Sequence, residues 1–260
     1  MSLRVTLVQQ PLVWQDPDAN RKRFENLLEP LAGRTDLIIL PETFTTGFTM
    51  EVERAAEPVA GPTTTWLQGL AHRLDAAVTG SVITADEGRY YNRLLWAQPD
   101  GGQRHYDKRH LFRMGGEHEH FAPGRAAWTV EWRGFKVCPL VCYDLRFPVF
   151  SRRRADLDYD LLLYVANWPA VRSYAWRQLL VARAIENQAF VAGVNRVGED
   201  GNGIGHQGDS RLCDFLGQPL ADLGAPPAVH TVELDLQPLR AFRERFPAQL
   251  DADRFTLHGP

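Results

Sequence analysis

The chain has 260 residues, 44% hydrophobic and 23% charged, with a formal net charge of −3. That is enough apolar material for a substantial core and argues against a disordered or low-complexity scaffold. The charge gives no reason to expect nucleic acid or an acidic membrane surface as partner, and the absence of any eighteen-residue apolar run leaves no expected membrane span.

Residues 3–9, "LRVTLVQ", read as a strand. The opening stretch lacks a signal-peptide pattern, so a cytoplasmic protein is expected. A helix is predicted over 17–32, capped by Asp16 with Pro17 in its first turn. "DLIIL" at 36–40 is a strand buried on both faces and stopped by Pro41. The next helix, 62–75, starts at Pro62 and carries Trp66, Leu67, Leu70, Ala71 and Leu74 on one stripe. "AAVTGSVI" and "YYNRLLWAQ" are strands joined by the turn "TADEGR", and "QRHYDK" follows the turn "PDGG".

The second half has the same texture. "AAWTVEW", a turn at Arg133–Gly134 and "FKVCPLVC" form a predicted hairpin, and "DLLLYVA" at 160–166 is a buried strand. Residues 173–188 are the best helix, with Ala175, Leu179, Ala182 and Ile185 spaced for one face. "AFVAGVN", "RLCDF" and "VHTVEL" are later strands, and the last fifteen residues or so are irregular. The glycines of "GEDGNGIG", 198–205, mark a loop, since a phosphate cradle needs G-x-G-x-x-G between strand and helix. Without a Ser/Pro/Gly-rich linker, the simplest account is a single α/β domain over 1–260 with two sheet layers.

The three cysteines are Cys138, Cys142 and Cys213. Four residues of strand would hold Cys138 and Cys142 roughly 13 Å apart, beyond the reach of about 7 Å that a disulfide spans. Sites in α/β folds gather where buried strands end. Three strands here end on reactive groups: Glu42, Lys108 and Cys142. Taken singly, each has a plainer reading, as a cap, a surface lysine and a small buried hydrophobe. The stretch "EHEH", Glu117 to His120, has the residue types of a zinc site. Adjacent residues of an extended segment alternate direction, however, and zinc prefers separated ligands or helical i, i+4 spacing, so no metal is expected.

"LPETFTTGF", "YDKRHLF" and "VCYDLRFP" together resemble the three signature segments of the nitrilase superfamily, the carbon–nitrogen hydrolases, in the same chain order. "YVANWP" and "VARAIENQAFVAGVNRVG" extend the resemblance over nearly the whole chain. Within the superfamily, "VQQPLVWQDP" and "KRHLFRM…EHEHF" most resemble the omega-amidases, in particular bacterial 2-oxoglutaramate amidase-like proteins. The resemblance implies a four-layer α-β-β-α sandwich, at least a homodimer through residues near 147–154 and 173–188, and no cofactor.

The implied reaction is hydrolysis of the omega-amide of a small 2-oxo dicarboxylic acid monoamide, such as 2-oxoglutaramate or 2-oxosuccinamate, through a cysteine thioester. Cys142 is then the nucleophile and Glu42 the general base. Lys108 and the backbone N–H of Tyr143 would stabilise the oxyanion. A second glutamate, placed by the turn at Pro123–Gly124, matches Glu117 best, with Glu119 as competitor; it would help keep Lys108 charged. His118 and His120 are expected as loop residues near the site entrance. The far carboxylate of the substrate calls for an arginine; Arg113, Arg146 and Arg172 are the candidates, and Arg113 or Arg172 is expected to grip it. Arg146 is expected in a structural pair with Asp144. Phe44, Tyr143 and Trp168 are candidate pocket walls. The same triad would serve a nitrile hydrolase, an N-carbamoyl or β-ureido acid amidohydrolase or an aliphatic amidase, and a non-catalytic binding protein could keep the fold.

Overall fold

The computed structural model describes residues 1–258. In the first half, β1 (Ser2–Gln9), α1 (Pro17–Leu28), β2 (Leu37–Ile39), α2 (Val52–Ala55), β3 (Glu57–Pro58), α3 (Pro62–Leu74), β4 (Ala77–Asp86), β5 (Arg89–Ala97) and β6 (Gln103–Asp107) follow in order. The second half contains α4 (Glu117–His120), β7 (Val130–Trp132), β8 (Phe135–Val141), α5 (Pro148–Ser151), β9 (Leu161–Ala166), α6 (Ser173–Asn187) and β10 (Phe190–Asn195). It closes with β11 (Val197–Glu199), β12 (Gly205–Gln207), β13 (Arg211–Cys213), β14 (Pro219–Asp222), β15 (Ala228–Asp235) and α7 (Leu236–Arg245).

Two sheets carry the molecule. The first has strand order β15-β1-β2-β4-β5-β6, with β3 paired to β4; the second runs β14-β13-β10-β9-β8-β7. β1, β2 and β4 are parallel neighbours, as are β8, β9 and β10. Alternation along the strands divides the core. Leu3, Val5, Leu7, Leu37 and Ile39 join the large core shared with Leu140, Leu161 and Leu163 of the second sheet. Val8, Ile38, Leu40 and Val78 face the other way, onto Phe24 and Leu28 of α1 and Leu67, Leu70 and Leu74 of α3. On the second sheet, Trp176, Leu180 and Ala184 of α6 complete the stack as an outer helix layer. The architecture is the α-β-β-α sandwich of the nitrilase type.

The long helices lie within a few residues of their expected bounds, but α6 buries Trp176, Leu180 and Ala184 rather than the expected face of Ala175, Leu179, Ala182 and Ile185, the last of which is 53% exposed. α1 is capped as expected, the Ala19 N–H donating to Asp16 Oδ1 at 3.0 Å, but it gives way to a 3₁₀ turn at Glu29 rather than running to 32. α7, which has no counterpart in the sequence reading, is an N-capped helix buried mainly through Leu236 and Leu239. The glycine-rich stretch at 198–205 is the tip of the hairpin β11–β12. All three cysteines are free and buried. Among the described residues no helix is long and apolar enough to cross a membrane.

Candidate active site

Strands of both sheets end on one cavity. Glu42 follows β2, Lys108 follows β6, Cys142 follows β8 and Asn167 follows β9. All four line a cavity of about 460 Å³.

Cys142 opens a 3₁₀ turn, Cys142–Arg146, and has φ +43°. A side chain held in the left-handed region costs about 1–3 kcal/mol, and such strain concentrates at functional sites. Two groups secure the turn. Asp144 Oδ2 accepts the Val141 N–H at 3.0 Å at its entrance, and Arg183 Nη2 of α6 donates to the Leu145 carbonyl at 2.6 Å at its exit.

Lys108 lies between two carboxylates. Its Nζ is 2.9 Å from Glu42 Oε1 and 2.9 Å from Glu117 Oε2, and all three side chains are at most 1% exposed. Asn92 of β5 joins them, donating to Glu42 Oε1 at 2.8 Å and to Glu117 Oε1 at 3.1 Å. Glu117 Oε2 also accepts the Phe112 N–H at 2.5 Å. Glu42 Oε2 accepts the Asn167 N–H at 2.7 Å, and Asn167 Nδ2 donates to the Glu42 carbonyl at 2.5 Å.

Electrostatics follow from this packing. Burial is the strongest influence on Lys108 and disfavours its charge, but Glu117 and Glu42 outweigh it and hold the amine above the ordinary lysine range. Burial raises the Glu117 carboxyl, with Lys108 opposing and Glu42 reinforcing the rise. Burial and then the Glu42 charge push the Cys142 thiol well above the usual cysteine range, Lys108 pulling the other way. The resting nucleophile is therefore a thiol beside a carboxylate able to take its proton.

The one-turn helix α4 answers the question raised by "EHEH". It turns Glu117 inward to Lys108 and leaves the Glu119 side chain 68% exposed. Neither His118 nor His120 lines the cavity, and both lie in this helix rather than in a loop at the entrance. Among the described residues no three His, Cys, Asp or Glu side chains are grouped to hold a metal ion.

Two expected cavity residues, Phe44 and Arg113, lie elsewhere. Phe44 is fully buried in the outer core, its ring 5.7 Å from Phe24 and 5.9 Å from Trp66. Thr43 at φ +39° turns the chain between Glu42 and Phe44, and Gly80, whose Cβ would sit 2.8 Å from the Phe44 ring, leaves room for it. Arg113 is exposed on a 3₁₀ turn and does not line the cavity. Arg146 does not pair with Asp144, which is occupied by Tyr106, His110 and Val141. Its guanidinium instead lies 5.0 Å over the Trp168 ring and lines the cavity. Arg172 also lines it, 5.4 Å over the Phe112 ring, with Tyr143 and Trp168 on the same wall.

Sequence reasoning missed Asn92 and Asn167, and set Arg146 aside as a structural pair although it lines the cavity. The available signal was an amide inside or at the end of an apolar strand, "YYNRLLW" and "YVANWP", where a polar side chain needs buried partners.

Known proteins resemble this chain over nearly its full length. Omega-amidase YafV of Escherichia coli (strain K12) is 51% identical over 256 residues, covering 98% of both chains. The 2-oxoglutaramate amidase of Bacillus subtilis (strain 168) is 32% identical, covering 95% of this chain and 96% of its own. A crystal structure of XC1258 from Xanthomonas campestris, a CN-hydrolase superfamily protein with an arsenic adduct in the active site, superposes with a TM-score of 0.97. It is 53% identical, covering 99% of this chain and 100% of that one. The carbon-nitrogen hydrolase family matches residues 4–244, and with the sandwich fold this places the chain in the carbon–nitrogen hydrolase family of the nitrilase superfamily.

Proposed function

We propose that this enzyme is an omega-amidase that hydrolyses the terminal amide of small 2-oxo dicarboxylic acid monoamides, 2-oxoglutaramate and 2-oxosuccinamate, to the acid and ammonia. The observation that carries the reading is a cavity with a buried Glu42–Lys108–Cys142 centre and two arginines, Arg146 and Arg172, on its aromatic wall. The 51% identity to an omega-amidase supports the same substrate class.

The geometry supports a two-step acyl transfer. Glu42 takes the thiol proton as Cys142 Sγ attacks the amide carbon. Lys108 Nζ and the Tyr143 N–H hold the oxyanion, and Glu117 keeps the amine charged. The proton passes to the leaving nitrogen, the C–N bond breaks and ammonia departs, leaving a thioester. Water, deprotonated by Glu42, attacks the thioester; the C–S bond breaks, and the thiol and the free acid form. An arginine on the wall holds the far carboxylate so that the amide reaches Cys142.

Ammonia release from 2-oxoglutaramate, with glutamine, asparagine and a simple nitrile in parallel, tests this for wild type and Cys142→Ala. Release from the oxo-acid amide that is lost in the variant is expected; release only from another substrate would overturn the assignment.

The core shared by the sheets supports reading 1–260 as one domain. The reading includes a homodimer through 147–154 and 173–188, supported by exposed Val149, Tyr174 and Ile185 on these segments and tested by light scattering. A cytoplasmic location, supported by the free thiols, is tested by fractionation.

A further inference from the structure

We infer that Asp144, with His110 and Tyr106, is a clamp that fixes the Cys142 turn against the Lys108 segment, a positioning device built around the nucleophile. Its chemical purpose rests on the amidase reading above; its geometry does not.

Asp144 is fully buried and accepts hydrogen bonds from three places. Oδ2 takes the Tyr106 hydroxyl at 2.7 Å and the Val141 N–H at 3.0 Å. Oδ1 takes the His110 N–H at 3.1 Å and His110 Nδ1 at 2.7 Å. A carboxylate buried without partners is costly, so these bonds are needed to keep it in place. Capping the cysteine turn requires only the Val141 bond. The others go to residues 106 and 110, two positions either side of Lys108. One side chain therefore joins the residue before the nucleophile to both flanks of the lysine.

His110 is suited to this task. Its ring lies flat on Phe147, centroids 3.9 Å apart and planes 8° apart. With the ring held there, Nδ1 points at an acceptor-only oxygen and must carry the hydrogen. Shifting the turn relative to Lys108 would move Sγ away from the amine that meets the oxyanion, and misplacement by an ångström costs about 10²-fold in rate.

The test separates the hydrogen bond from the stack. His110→Phe keeps the stack on Phe147 and loses the bond; His110→Asn keeps a donor near the Nδ1 position and loses the stack. Two readouts are taken on each folded variant: kcat and KM on the best amide substrate, and the rate of Cys142 alkylation by iodoacetamide. For His110→Phe we expect kcat lower by about 10²-fold with KM within about twofold, and alkylation about tenfold slower. His110→Asn should recover both to within about threefold of wild type. Tyr106→Phe, which removes one bond from Oδ2, should lower kcat without moving KM. Wild-type kcat and alkylation in His110→Phe, or equal impairment in His110→Asn, would overturn the clamp. Wild type silent toward every amide would sink the functional reading while the alkylation series still decides the clamp.

Discussion

Asn167 holds Glu42 at two points: its backbone N–H donates to Oε2 at 2.7 Å, and its side-chain Nδ2 donates to the Glu42 carbonyl at 2.5 Å. The side chain thus anchors the backbone of the base while the main chain orients the carboxylate. Asn167→Ala keeps the backbone N–H contact and loses the side-chain one. We expect kcat to fall about 10²-fold, as for a misplaced catalytic group, with KM little changed. A steady-state comparison checks this, and unaltered kcat would show that Glu42 needs no such anchor.

Lys108 is the only cation within ion-pair distance of Glu42 and Glu117 among the described residues. Lys108→Met leaves two buried carboxylates without a counter-charge, a loss of about 3–5 kcal/mol at neutral pH. The Glu117 carboxyl, already raised by burial, would lose the Lys108 charge that opposes the rise. A raised carboxyl contributes stability below the unfolded pKa and loses it as pH rises through the folded one. The deficit against wild type should therefore shrink as pH falls from 7 toward 5. Urea midpoints of the two proteins at both pH values measure it, and a deficit independent of pH would contradict the arrangement.

Much of this site was legible because catalytic groups sit where apolar strands stop. Glu42 and Cys142 each follow a continuous apolar run, readable without coordinates, whereas Lys108 ends the largely exposed strand "QRHYD" and is legible only through the segment "YDKRHLF". The partners were not, because they depend on which strands lie side by side. Asn92 reaches Glu42 across fifty residues of sequence and Asn167 across more than twice that. Arg146 was misassigned since an acid two residues away is a natural partner on paper. The fold instead gives Asp144 to Tyr106 and His110, and turns the guanidinium over Trp168. Phe44 was misread for a related reason: Thr43's positive φ, not the local pattern, decides which way the next side chain faces. α7 has few apolar residues, and its buried Leu236 and Leu239 do not make a long stripe.

His206, on the cavity wall in β12, gives the folded protein a pH dependence of its own. Burial first, then the nearby Arg196 charge, lower its pKa from 6.5 to about 4. Below pH 6.5 the unfolded chain takes up a proton that the folded chain refuses, so folding stability falls with pH until about 4. The contribution is fully present above 6.5. At one pKa unit per 1.36 kcal/mol, the loss between neutral pH and pH 5 is about 2 kcal/mol. His206→Asn should flatten that part of the profile in urea titrations at pH 8 and 5. An unchanged slope in the variant would place the acid sensitivity elsewhere.

Arg146 and Arg172 stand on aromatic faces in the cavity that holds Cys142. If one of them grips the far carboxylate, its loss should fall on binding of the charged substrate and spare neutral amides. A hydrogen bond to a charged group is worth about 1.5–3 kcal/mol, so Arg146→Ala should raise KM for 2-oxoglutaramate by about ten- to 150-fold. The kcat/KM for a simple aliphatic amide should move by less than about threefold, because that substrate has nothing for the arginine to hold. Arg146→Lys should recover only part of the loss, since an ammonium cannot reproduce the two parallel bonds of a guanidinium. Arg172→Ala should behave like Arg146→Ala if both arginines converge on the carboxylate, and more weakly if Arg172 only excludes water above Phe112. The ratio of kcat/KM values for the charged and neutral amides decides the matter. A ratio unchanged in both single variants and in the double variant would mean that this wall does not select the acid end of the substrate.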